Sequence, residues 1–323
     1  MRGSGESISA PTVNPDHFLA VEIGGTKLQI VAGTSAGKIL DRRRFSVDRA
    51  AGGEGIRAHI AEALPPLVAA WQPSAIGCGY GGPVDWRSGR INRSHHVAGW
   101  ENFPLAEWLR ERTGLPAAVD NDANVAALGE ATHGAGRGAN PVLYFNSGTG
   151  VGAGLVIDGA IYHGAPPGEL ELGHLRLERG GPIVEDRCSG REVDRLLREL
   201  AARHPEALIA QKIAGRPAGG EARQLAPAVA EGCPFATAFL LQVADDLAFA
   251  LSHAVHLVHP AAIVFGGGLS LVGEPLRERI ATALPRYVME AFLPAPPVAL
   301  AALGEDAVPV GALVLAQTAG RRN

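Results

Sequence analysis

The chain has 323 residues, enough for one large domain or two medium ones, and its 46% apolar residues supply a sizeable core. A formal net charge of −4 leaves no electrostatic footprint for nucleic acid, and no apolar run reaches the ~18–20 residues that span a bilayer. Cys78, Cys188 and Cys233 are widely spaced and form no C-x-x-C pair, which argues against a disulfide framework and a structural zinc site.

Residues 1–17 are polar, lack the apolar core of a signal peptide and read as a disordered lead-in to a cytoplasmic protein. Phe18–Ile23 and Leu28–Ala32 read as strands, joined by Gly24, Gly25, Thr26 and Lys27. That turn is either a plain hairpin or a phosphate cradle, because its glycines expose N–H groups beside a hydroxyl and an ammonium. It lacks the spacing of a Walker A loop. Glu22, just before the turn, can reach a metal ion or its water.

Arg42–Val47 is a third strand, Gly55–Trp71 an amphipathic helix, and Ala75–Tyr80 an apolar strand running into Gly81–Asp85. The loop around Gly82 permits close backbone approach to a ligand, or is simply a sharp turn. His95 and His96 are adjacent and would point apart on a strand, so they read as surface histidines. Leu105–Thr113 is a short helix stopped by Gly114 and Pro116.

Val119–Glu130 (VDNDANVAALGE) is the stretch around which the rest is organised. Three acceptor side chains, Asp120, Asn121 and Asp122, stand at a strand-to-helix junction, where α/β proteins tend to place ligands. They can cap the Ala-rich helix, or hold neighbouring hydroxyls and take a proton from one of them.

Val142–Phe145 then runs into Asn146–Gly154 (NSGTGVGAG), Leu155–Ile157 and an Asp158-Gly159 turn, a second hairpin built like the first. The pair suggests duplicated halves facing a shared ligand. Residues 164–181 are loop-rich and hold Glu169, Glu171 and His174. A helix starts near Ser189 and covers Arg191–Ala202, and residues 203–234 hold one or two helices with loops. Phe235–His259 is a long amphipathic helix. Ile263–Phe265 is a strand entering Gly266, Gly267 and Gly268, which open a helix near Glu274–Ala283. Strand, glycines and helix in that order admit a nucleotide against the backbone. Val308–Gly320 is a terminal helix.

Taken together, EIGGTK (22–27), GYGGPVD (79–85), VDNDANVAALGE (119–130), SGTGVGAGLVIDG (147–159), GELELGH (168–174) and FGGG (265–268) resemble the motifs of the ROK family (repressors, open reading frames, sugar kinases). The resemblance covers residues 18 to about 320 and implies an α/β, actin-like ATPase (ribonuclease H-like) fold. Two lobes with an interdomain cleft are expected: residues 18–120 completed by a helix over 305–323, and residues 121–304. It implies that Gly24–Thr26 with Lys27, and Gly148, Thr149 and Gly150, hold the phosphates of ATP, while Gly266–Gly268 border the adenosine. It places Gly82, Asn121, Asp122, Glu171, His174 and Glu185 on the sugar, with Asp122 as base, in a homodimer.

Two departures stand out. The family usually carries Asp where this chain has Glu22, which can still support Mg²⁺ through water. The family's zinc segment falls on Arg176–Glu185 (RLERGGPIVE), where all three cysteine ligands are missing and only Glu185 and His174 remain, so no zinc is expected. His96 also replaces an Asn that often contacts sugar, so the substrate need not be plain glucose. The reading is an ATP-dependent, Mg²⁺-supported kinase acting on the 6-hydroxyl of a hexose or amino-hexose, with no nucleic-acid or membrane partner. The alternative is a non-catalytic sugar sensor of the same family without a DNA-binding domain.

Overall fold

The computed structural model describes residues 13–92, 97–166, 168 and 170–319, so His95, His96, Glu169 and residues 1–12 lie outside it. Two compact units result: one ends at Asp120 and resumes at Ala312, the other is Asn121–Gly311.

The first unit opens with an antiparallel meander of β1 (Asn14–Ile23), β2 (Lys27–Thr34) and β3 (Ile39–Ser46). Next come α1 (Gly52–Trp71), β4 (Pro73–Tyr80), the two-residue strands β5 (Val84–Asp85) and β6 (Arg90–Ile91), α2 (Leu105–Thr113) and β7 (Ala117–Asn121). β4 runs parallel to β1, and the sheet order is β3-β2-β1-β4-β7. Ile56, Ile60, Ala63, Leu64 and Leu67 fall on one stripe of α1 and bury it against Leu19, Val21, Ile30 and Ile76. Asn14–His17, read as lead-in from the sequence, are strand instead. The Asn14 N–H donates to the Gln72 carbonyl at 2.6 Å, and Asn14 pairs in register with Pro73.

The second unit begins with α3 (Asp122–His133) and a second meander, β8 (Val142–Ser147), β9 (Val151–Ile157) and β10 (Ala160–Ile161). Five helices follow, α4 (Val184–Cys188), α5 (Gly190–Arg203), α6 (Leu208–Ile213), α7 (Leu225–Ala230) and α8 (Pro234–Val258). The unit closes with β11 (Ala262–Gly266), α9 (Glu274–Ala283), β12 (Val298–Leu300) and α10 (Ala307–Ala319), whose last turns belong to the first unit. The order β10-β9-β8-β11-β12, with β11 parallel to both β8 and β12, repeats that of the first sheet. Each unit thus carries the strand order of a ribonuclease H-like half, and the fold is the α/β, actin-like ATPase fold.

Three differences from the sequence reading have local causes. β9 starts at Val151, inside the Gly-rich run, because α3 lies directly on it: a Cβ on Gly154 would stand 2.8 Å from the Ala123 carbonyl oxygen and from Ala127 Cβ. A short 3-10 turn, Gly268–Val272, separates the glycines after β11 from α9. α8 is a single helix of 25 residues, long and apolar enough by length and composition to cross a membrane, contrary to the run-length reading. It carries Asp245 and Asp246 yet buries Leu240, Leu247 and Leu251 completely in the second unit's core, where a globular protein places such a helix.

Candidate active site

In the first unit, the Gly24–Lys27 turn is closed by the Gly24 N–H donating to the Lys27 carbonyl at 2.9 Å. The Gly81 N–H donates to the Ile23 carbonyl at 2.8 Å, which brings the Gly82 loop beside the end of β1. Glu22 and Gln29 face each other across β1 and β2, and Gln29 Nε2 donates to Glu22 Oε2. Lys27 Nζ lies 3.2 Å from Glu22 Oε1, and the fully buried Gln29 accepts from Arg42 Nη1 at 3.0 Å. The carboxylate expected to hold Mg²⁺ is therefore steered by an ammonium and an amide. Asp85, the last residue of GYGGPVD, turns back on its own hairpin: the Ser88 hydroxyl at 2.6 Å holds its carboxyl below the usual range.

In the second unit, Asn121 caps α3, its Oδ1 accepting from the N–H groups of Ala123 (2.8 Å) and Asn124 (3.2 Å). Asp122 occupies the first turn, at the positive end of the helix. The cap is thus made by Asn121, and Asp122 follows it as the first residue of the helix. Asn124, fully buried, donates to the Gly168 carbonyl at 3.4 Å and ties α3 to the GELELGH segment.

The second glycine turn, Gly148–Gly150, joins β8 to β9, and its Gly148 N–H donates to the Gly150 carbonyl at 2.9 Å. Glu185, placed on the sugar by resemblance, accepts from the Val151 N–H at 2.9 Å and so abuts this turn from α4. Glu171 and His174 are both exposed, with 3.9 Å between Oε2 and Nε2. The segment that would carry zinc thiolates is a small hairpin. Arg176 pairs with Ile183 in a β-bridge, the Leu177 N–H donates to the Pro182 carbonyl at 3.0 Å, and Arg176 Nη1 reaches the Gly181 carbonyl at 2.7 Å. Among the described residues no group of three or more His, Cys, Asp and Glu side chains is placed to hold a metal, and these residues do not fit zinc.

Gly148 and Thr149 share a cavity of about 450 Å³ with Gly268. The turn after β8 and the last of the three glycines after β11 thus meet in one space, of a size that suits a small-molecule ligand. Gly266 and Gly267 do not line it. The remaining walls were not foreseen: Arg191, Asp194 and Arg198 from α5, and Ala218–Gly220, Ala222 and Arg223 from the segment before α7. Their i, i+4 spacing places Asp194 and Arg198 on one helix face but does not say what that face meets.

The model of the ROK family matches residues 18–319. A glucokinase from Thermotoga maritima is 32% identical over 307 residues, covering 91% of this chain and 95% of its own. The crystal structure of a ROK family glucokinase from Streptomyces griseus in complex with glucose and AMPPNP aligns with a TM-score of 0.80 at 30% identity, covering 94% of this chain and 99% of that one. A ROK hexokinase from Thermus thermophilus aligns with a TM-score of 0.77 at 30% identity, over 95% of this chain and 100% of its own. Matched over nearly its whole length by model, sequence and structure alike, the chain belongs to the ROK family.

Proposed function

We propose that this chain is an ATP-dependent hexose kinase that transfers the γ-phosphoryl group to the 6-hydroxyl of a hexose or amino-hexose. The observation that carries the reading is the cavity shared by Gly148, Thr149 and Gly268, with Asp122 on the capped first turn of α3 in the same unit. The relatives named glucokinase and hexokinase support it.

In this reading Asp122 accepts the hydroxyl proton as the oxygen attacks phosphorus, which breaks the bond to the leaving ADP oxygen. Asn121, assigned to the sugar with it, fixes the helix start at Asp122 through the cap. Glu171, His174 and Glu185 are assigned to sugar hydroxyls, and Gly82 to backbone approach. Phosphate oxygens are assigned to the Gly148–Gly150 turn, through N–H groups other than that of Gly148, which closes the turn; the Gly24–Thr26 turn with Lys27 carries the same assignment by resemblance, its Gly24 N–H likewise spent on the turn. Mg²⁺, if bound, would neutralise phosphate charge, and Glu22, a single carboxylate already held by Lys27 and Gln29, would serve it through water rather than by direct ligation.

Three buried, unpaired cysteines support a cytoplasmic location. Exposed Leu257, Met289 and Leu293 in the second unit support a homodimer, which light scattering tests. Coupled ADP-release assays over a panel of hexoses and amino-hexoses test the kinase reading. Sugar binding without turnover on any member would favour the sensor, a reading to which the ion-paired Glu22 lends support.

A further inference from the structure

We propose that Asp194 and the Arg198–Glu221 pair are positioning residues for the nucleotide, holding the segment before α7 as a preformed wall of the cavity. The inference rests on the kinase reading and adds to it the groups that set nucleotide affinity.

Both carboxylate oxygens of Asp194 are spent on backbone: Oδ2 accepts from the Gly220 N–H at 2.7 Å and Oδ1 from the Ala222 N–H at 2.8 Å. Between them Glu221 points inward, 4% exposed, and its Oε2 accepts from the Gly219 N–H at 2.9 Å. Its other oxygen pairs with Arg198 Nη1, one helical turn beyond Asp194 on α5. Two carboxylates and one guanidinium thus fix three amides within four residues. A buried carboxylate without a partner would be costly, so Arg198 is what permits Glu221 to sit there.

The wall requires such holding. Gly219 and Gly220 adopt φ of +104° and +89°, in the region that glycine enters freely, and an unrestrained Gly-Gly pair samples many backbone states. Among the described residues, no aromatic side chain lines the cavity to act as a rigid plate for the base. A base and ribose entering it therefore meet backbone, and binding to a mobile backbone costs ordering entropy that the clamp removes beforehand.

The test uses the full chain, with calorimetry of AMPPNP and steady-state kinetics in parallel. Asp194→Asn places an amide donor against a backbone N–H. It is expected to raise both the AMPPNP Kd and the nucleotide KM roughly tenfold, the weight of one charge-assisted hydrogen bond. Both kcat at saturating nucleotide and sugar KM should stay within about twofold. Arg198→Lys keeps a cation beside Glu221 and should fall between wild type and Arg198→Ala. A lowered Tm with unchanged AMPPNP affinity would overturn the proposal, since the clamp would then be structural only. So would equal losses in sugar and nucleotide KM, or a wild-type protein that does not bind AMPPNP. Wild type that binds AMPPNP but phosphorylates no hexose defeats the kinase reading alone, and the calorimetric comparison still decides the clamp.

Discussion

Glu185 Oε2 accepts the Val151 N–H at 2.9 Å and stands 2.5 Å from the point where a Cβ on Gly150 would be placed. The glycine is thus required by its neighbour as well as by any phosphate. Gly150→Ala pushes the carboxylate off the turn, and kcat should fall by about tenfold or more, since displacements near 1 Å in an aligned site have effects of that size. Wild-type kcat in Gly150→Ala would show that Glu185 does not set the turn.

Asp122→Asn should lower phosphoryl transfer by about 10²–10⁴-fold while sugar affinity stays within about one order of magnitude. The amide keeps the size and the helix position but cannot accept the proton. Equilibrium sugar binding and single-turnover rates on the same preparation separate the two effects. Near wild-type turnover would remove Asp122 from the base role.

Glu22 is held from two sides, so its length is matched to Lys27 and Gln29. Shortening it in Glu22→Asp breaks that match, and kcat should drop with little change in sugar KM. Glu22→Gln, which keeps the length and removes the charge, should drop kcat as well. A rise in kcat for the Asp variant would mean that the longer acid is a degenerate remnant.

Glu130 makes no chemistry but closes the second unit. Completely buried, it accepts from the N–H groups of Ala135 (2.8 Å), Ala302 (3.1 Å) and Leu303 (2.8 Å). Glu130→Ala takes the acceptor from three part-buried backbone donors, a loss on the order of 3 kcal/mol. Urea melts of the variant should show it, with Glu130→Gln losing less because one acceptor remains. Equal midpoints for wild type and Glu130→Ala would refute the account.

These residues mark what the sequence made legible. The two glycine turns, the helix cap and the main strands were readable because glycine, Asn and apolar runs act over a few neighbouring residues. Glu130 was read only as the end of a motif, since its partners at 302 and 303 lie far along the chain. Asp194 was invisible for the same reason: its meaning comes from Gly220 and Ala222, reached only when α5 packs. Val151–Gly154 misled in the opposite direction. Glycine disfavours a strand locally, but the close approach of α3 demands glycine there.

Arg176, Glu178 and Ile183 stand at the positions of zinc ligands, and the hairpin they build is held by backbone bonds. Elemental analysis should find far less than one zinc per chain, and a zinc-selective chelator should leave kcat unchanged once Mg²⁺ is restored. About one zinc per chain would contradict this, because four donors are needed to hold it.

If the loop holding Glu171 and His174 binds sugar as proposed, this hairpin detaches it from the cell's thiol chemistry. Cys78, Cys188 and Cys233 are all buried. Burial first, and nearby carboxylates second (Glu22 for Cys78, Asp246 for Cys188), push the thiols of Cys78 and Cys188 far above their usual range. A thiol that stays protonated is a poor nucleophile toward peroxide or an alkylating reagent. A loop clasped by metal thiolates fails when those ligands are oxidised or when zinc is scarce. Here the clasp is made of hydrogen bonds to peptide groups, so the proposed sugar site is expected to withstand oxidative stress and zinc starvation.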